Sequence, residues 1–233
     1  MILKKKYNFF LFLIITSFLL ALTYANLNIK NFDKNVKLST GESVHLMIKN
    51  DVLRYFSHGF EIKQQLKENI DYFETGRNNF TKYLYPRIVA IYYLIFDYNL
   101  YEDPEKKEVK IGIHKSFLYF QIMFYYLSIV FLYFQLKDKF NFKLLIFTIF
   151  FLCFEPTLFQ YQGSFWSESI FFSIQILIMS FVLSDKFSNT KLFITGILLA
   201  LLSLQRTNGF YYIVPIIIYL YYINKFDFFK KII

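Results

Sequence analysis

The chain has one cysteine, Cys153, and three histidines in 233 residues. A lone cysteine excludes an internal disulfide and a cysteine-rich metal site. His45, His58 and His114 stand at no metal-ligand spacing, so no metal site is expected. Glycine (7) and proline (4) are scarce, and no internal repeat divides the chain. Only 18% of residues are charged, and acids are outnumbered, 17 against 26 Lys and Arg, for a net charge of +9. A basic balance can signal nucleic acid, but no basic stripe is interleaved with polar recognition residues, so nucleic acid is excluded as a partner. Basic cytoplasmic loops of a membrane protein give the same total.

Apolar residues are abundant. They make up 56% of the chain, against ~45–50% in soluble domains, and mean hydropathy is +0.36. The 32 Phe and 20 Tyr accompany many Ile, Lys and Asn, the bias of an AT-rich coding sequence rather than a base-stacking surface.

A membrane-spanning helix needs ~20 mostly apolar residues. Six stretches qualify or nearly do: Tyr7–Tyr24, Ser116–Leu136, Leu144–Leu158, Phe165–Leu183, Leu192–Leu204 and Phe210–Ile223. The first follows Lys4, Lys5 and Lys6 and also reads as a signal peptide, with Thr23 and Ala25 ahead of a cleavage point. Its apolar run is long for that, so an uncleaved helix is expected. The third is shortened by Pro156. Lysines at 4–6, at 137, 139 and 143, at 186 and 191, and at 225, 230 and 231 alternate with the stretches. All four groups lie in the cytoplasm only if the N-terminus is inside and the chain crosses six times. The expected fold is therefore all-α: a multi-pass protein of a cytoplasmic (inner) membrane, with the lipid bilayer as its first partner.

Residues 26–115 form a large outer loop on this reading, too long for a connector. Within it, "DVLRYFSHGFEIKQQLKENIDYFE" has helical periodicity, and "YLYPRIVAIYYLIFDYNLY" is short for a span and fits a helix in the membrane interface. Asn79-Phe80-Thr81 matches a glycosylation triplet.

Three polar residues stand out against this background. Asp51 opens the amphipathic helix of the outer loop, with Tyr55 one turn on. Glu168, in "GSFWSESIFF", sits in the first turn of the fourth span, where an acid complements the helix dipole. Arg206, in "LLALLSLQRTNGFYYIVPIII", stands between two apolar runs at the outer end of the fifth. A guanidinium at the bilayer centre costs at least ~2.5 kcal/mol, which favours an edge position. At an edge it reads equally as an interfacial arginine snorkelling to water or, because an outer-edge arginine runs against the positive-inside bias, as a functional residue.

The order Asp51, then Ser167-Glu168-Ser169-Ile170-Phe171, then Gly196, Ala200, Arg206 and Gly209, resembles the GT-C superfamily of membrane glycosyltransferases. The nearest likeness is to the dolichyl-phosphate-mannose mannosyltransferases of the PIG-V type and to the wider PMT/ArnT-like group. Tyr83–Pro86 resembles their aromatic-Pro stretch. The resemblance implies a single GT-C-like domain over 1–233, the N-terminal part of a longer enzyme or one half of a split pair, with a missing C-terminal half or partner subunit. It also implies transfer of a sugar from a polyprenyl-phosphate carrier to an acceptor on the extracytoplasmic side. Asp51 would be the catalytic base, and Arg206, Glu168 and Tyr55 would bind substrate. No cofactor is specified by the pattern. The alternatives are a polyprenyl-linked glycan flippase or polymerase, which needs charge or broken helices near mid-membrane, and a non-catalytic membrane scaffold.

Overall fold

The computed structural model describes residues 2–32, 35–37, 43–45, 50–68, 84–96, 114–184 and 188–224. Its described residues are almost wholly helical: α1 (Ile2–Phe32), α2 (Asn50–Glu68), α3 (Leu84–Phe96), α4 (Lys115–Leu136), α5 (Phe142–Phe154), α6 (Pro156–Gln162), α7 (Ser167–Val182), α8 (Asn189–Gln205) and α9 (Ile213–Asn224). The departure from helix is one antiparallel pair of three-residue strands, β1 (Asn35–Lys37) and β2 (Ser43–His45), with Val36 opposite Val44.

Among the described residues, two helices are long and apolar enough to cross a membrane, Lys6–Ile29 within α1 and Lys115–Leu136. Neither stretch contains glycine or proline, so nothing interrupts the hydrogen-bond ladder. These are helices of a membrane protein. α5 and α6 are together long and apolar enough for a third, but they meet at 55°. Pro156 has no N–H for the Leu152 carbonyl, and its ring excludes a straight helix. The Tyr125 hydroxyl donates to that carbonyl instead, at 2.7 Å. Glu155 then restarts the chain by accepting from the Leu158 N–H at 2.6 Å. The sequence expectation of a helix over 144–158 is corrected to two helices held apart by one proline.

α7 and α8 are shorter, 16 and 17 residues. The expected sixth span starts later than Phe210, because Thr207–Tyr212 winds as a 3-10 turn and α9 begins only at Ile213. The cause is a tight reversal after α8. The Gly209 N–H donates to the Arg206 carbonyl at 2.8 Å. A Cβ on Gly209 would lie 2.4 Å from the Leu202 carbonyl oxygen, so only glycine fits.

The helices run back and forth between two ends. At one end Lys6 lies 5.1 Å over the Phe142 ring, Lys139 donates to the Leu183 carbonyl at 2.9 Å, and Lys191 donates to Ser184 Oγ at 2.7 Å. At the other, Asn28 donates to the Gly163 carbonyl, Tyr119 to Asn26, and Gln121 to the Trp166 carbonyl, at 2.9, 2.5 and 3.0 Å. α4 and α7 pack along their lengths in the middle. Buried Ser128, Ser173 and Ser180 return their hydroxyls to the carbonyl one turn back, which hides each polar group and keeps the facing surface thin.

α2 and α3 pack together as a cap over the second end. Gly59 makes this possible, since a Cβ there would meet Val89 at 2.5 Å. Phe56 is the plug. Its ring is fully buried among Tyr93, His114, Phe117 and Phe165, with centroids 5.1 to 6.2 Å away.

Candidate functional site

The polar side chains under this cap come from the ends of α4, α7 and α8. α7 starts at Ser167 because Trp166 has extended backbone (φ −106°, ψ 138°), and no side chain caps it. Its first turn therefore presents the positive end of the helix dipole. Glu168 lies in that turn and is 6% exposed. Both carboxylate oxygens are engaged: Ser167 Oγ donates to Oε2 at 3.0 Å, and Arg206 Nη2 donates to Oε1 as an ion pair. A buried carboxylate is tolerable only with such partners.

Arg206 is the first residue beyond α8 and is extended. Its side chain is 31% exposed, with the guanidinium 5.8 Å over the Phe171 ring, a cation–π contact. Adjacent Gln205 is fully buried and donates from Nε2 to the Ser167 carbonyl at 2.9 Å. The end of α8 is thus tied to the start of α7 at two successive residues. Three buried polar atoms here have no partner among the described residues: Arg206 Nε, Gln205 Oε1 and Ser169 Oγ. A guanidinium offers five donors, so the ion pair leaves donor capacity unspent.

A relay reaches this site from the cap. The Tyr85 hydroxyl donates to Gln121 Oε1 at 3.1 Å, and Gln121 Nε2 donates to the Trp166 carbonyl, one residue before α7. Burial pushes the Tyr85 phenol well above its ordinary value, and the nearby Tyr55 and Glu168 push it the same way. Tyr85 therefore stays a neutral donor throughout the physiological range.

The structure brings Glu168 and Arg206 into direct contact. Sequence reading placed both at one membrane face without foreseeing the pair, because their juxtaposition comes from α7–α8 packing across 38 positions. Tyr55 is 3% exposed and its ring makes a T-shaped contact with Tyr85 at 5.0 Å. It buttresses the relay and presents little surface to a ligand. Asp51 lies in the first turn of α2, one turn before Tyr55. Its side chain lies outside the described residues, as do Tyr83 and the Asn79-Phe80-Thr81 triplet. Gln121 and Gln205 were not singled out from the sequence, and Tyr85 only as part of the Tyr83–Pro86 stretch. The available signal was an amide inside an apolar helix, which is costly in a membrane unless satisfied. Among the described residues, no three His, Cys, Asp or Glu side chains converge as metal ligands.

No family model, curated protein or solved structure matches the chain.

Proposed function

We propose that the protein is a membrane glycosyltransferase that moves a sugar from a polyprenyl-phosphate carrier to an acceptor hydroxyl at the extracytoplasmic face. The observation that carries this reading is the Arg206–Glu168 pair, at the end of the bundle opposite Lys6, Lys139 and Lys191, with guanidinium donors left over. On this reading the N-terminus and those lysines are cytoplasmic, the chain crosses six times, and α3 lies in the outer interface. The short α7 and α8 cross where flanking polar residues thin the apolar layer.

The acceptor oxygen attacks the anomeric carbon while the bond from that carbon to the phosphate oxygen breaks. The carrier phosphate leaves with the electron pair, and Asp51 takes the acceptor proton. Charge grows on the phosphate, and Arg206 is a planar, permanently charged donor for it. Glu168 orients the guanidinium, Gln205 and the Tyr85–Gln121 relay hold the helix ends, and Tyr55 carries the relay's contact to the helix that bears Asp51.

In proteoliposomes supplied with a polyprenyl-phosphate sugar, Arg206→Ala is expected to lower transfer about a hundredfold or more, the usual cost of removing one transition-state donor. Asp51→Asn is expected to abolish transfer, both variants inserting normally. Full transfer by either variant overturns its assigned role. A scaffold reading draws on the internal use of both Glu168 oxygens. It requires that wild-type protein transfer no sugar from any carrier.

A further inference from the structure

The C-terminus of α7 receives two cations. Lys139, in the turn after α4, donates to the Leu183 carbonyl at 2.9 Å, and Lys191, in the first turn of α8, donates to Ser184 Oγ at 2.7 Å. Leu183 and Ser184 are adjacent, so ammonium groups from two different elements meet one helix end. A helix C-terminus carries about half a negative charge, so about one and a half positive charges remain uncompensated by it. The surroundings do not restore the balance. Lys6, Lys137, Lys139, Lys143 and Lys191 stand at this end against one acid, Asp138, among the described residues. An ammonium has three donors, and Lys191 spends one of them on Ser184.

The surface beside this charge is apolar. A groove between α5 and α7 reaches the same end at Leu136, Phe140, Leu144 and Leu183. Leu183 lines the groove while its carbonyl holds Lys139. Leu144 on α5 and Met179 on α7 are half exposed, so the groove is open sideways. Thr148 turns its hydroxyl back to the Leu144 carbonyl at 3.1 Å, which leaves no free donor at that point of the wall. A bare anion has no use for such a wall, and a polar partner would leave its own groups unsatisfied against it. An amphiphile with one negative charge fits both parts.

We infer that this end of the bundle binds an anionic glycerophospholipid, with its phosphodiester between Lys139 and Lys191 and an acyl chain in the adjoining groove. The single charge of a phosphodiester offsets most of the excess at the end of α7. Basic pockets between membrane helices take acidic lipid head groups in this way. The bound lipid would join α5, α7 and α8 at one level and so stabilise the folded bundle. The inference does not rest on sugar transfer: its ligand is a bulk membrane lipid, held at the end opposite Arg206.

The test compares lipids that differ in charge. Purified full chain in detergent is titrated with phosphatidylglycerol, with phosphatidylcholine of the same acyl chains and with glycerol phosphate, and bound species are counted by native mass spectrometry. Phosphatidylglycerol is expected to bind about tenfold more tightly than phosphatidylcholine, or better, and glycerol phosphate not to displace it. Lys139→Gln and Lys191→Gln keep a donor for α7 and remove the charge. Each is expected to weaken phosphatidylglycerol about fivefold, and the two together about thirtyfold, with phosphatidylcholine unchanged. Lys139→Arg and Lys191→Arg, which keep the charge, are expected to keep the preference. Lys115→Gln removes an exposed charge at the other end of α4 and is expected to change nothing. Met179→Trp, which fills the groove, is expected to weaken both lipids. Equal binding of the two lipids, displacement by glycerol phosphate, a full preference in the double glutamine variant, or the same loss in Lys115→Gln overturns the inference.

Discussion

At the scale of single residues, His114 is the most exposed to a change of conditions. It sits just before α4 with its Nε2 3.3 Å from the Tyr93 hydroxyl and its ring 5.1 Å from Phe56. Burial lowers its pKa from 6.5 to about 4. The unfolded chain therefore binds a proton at pH 5 that the folded chain does not. Stability on this account is full above about pH 6.5, falls as the pH drops toward 4, and levels off below it. The drop amounts to about 3 kcal/mol, since one pK step is 1.36 kcal/mol. A thermal-unfolding series between pH 7 and 4 checks this, and His114→Phe is expected to flatten the slope. A wild-type midpoint unchanged across that range would exclude the effect.

The ion pair belongs to the same scale and explains what sequence reading reached and missed. Glu168 and Arg206 were conspicuous because charge is rare in apolar runs. Their contact was hidden because it depends on Gln205 bonding the Ser167 carbonyl, a tertiary event that no spacing encodes. Tyr55 shows the reverse case. The family resemblance suggested a ligand contact for it; the structure shows a ring buried against Tyr85.

At the scale of elements, apolar runs made the helices legible and local chemistry set their limits. Pro156 announced a shortened span, but the partner of the orphaned Leu152 carbonyl, Tyr125, lies on another helix. Tyr125→Phe leaves that carbonyl unsatisfied and is expected to cost about 1–3 kcal/mol. Pro156→Ala supplies an N–H in its place. In a double-mutant cycle read by denaturant unfolding, Tyr125→Phe is expected to be nearly neutral in the Pro156→Ala background. Equal costs in both backgrounds would mean that the hydroxyl does not serve the carbonyl.

At the scale of the whole molecule, two helices among the described residues, or three with the bent pair, have membrane length and composition, and the six-crossing topology is the functional reading's own requirement. It is testable with single cysteines, because the native Cys153 is fully buried. Asp138, Asn189 and Asn208 are exposed. Cysteines at 138 and 189 are expected to be shielded in intact cells from a membrane-impermeant maleimide that labels a cysteine at 208. Labelling of all three from outside, or of 138 and 189 alone, would reject the topology. The alternation of lysine groups is what suggests this topology from the sequence. The cap was less so, because α2 and α3 recognise each other through Gly59 and Phe56 rather than through charge.

Two glycines of one helical hairpin mark how unevenly this molecule tolerates change. Nothing lies within 4 Å of a methyl group placed on Gly196, whereas at Gly209 the same methyl would strike the backbone of Leu202 and Ser203. The open face of α8 at Gly196 can accept a larger residue freely. The corner beyond it cannot accept a single added carbon without swinging the neighbouring guanidinium off its ring, so substitutions there would disable the site while leaving that face intact.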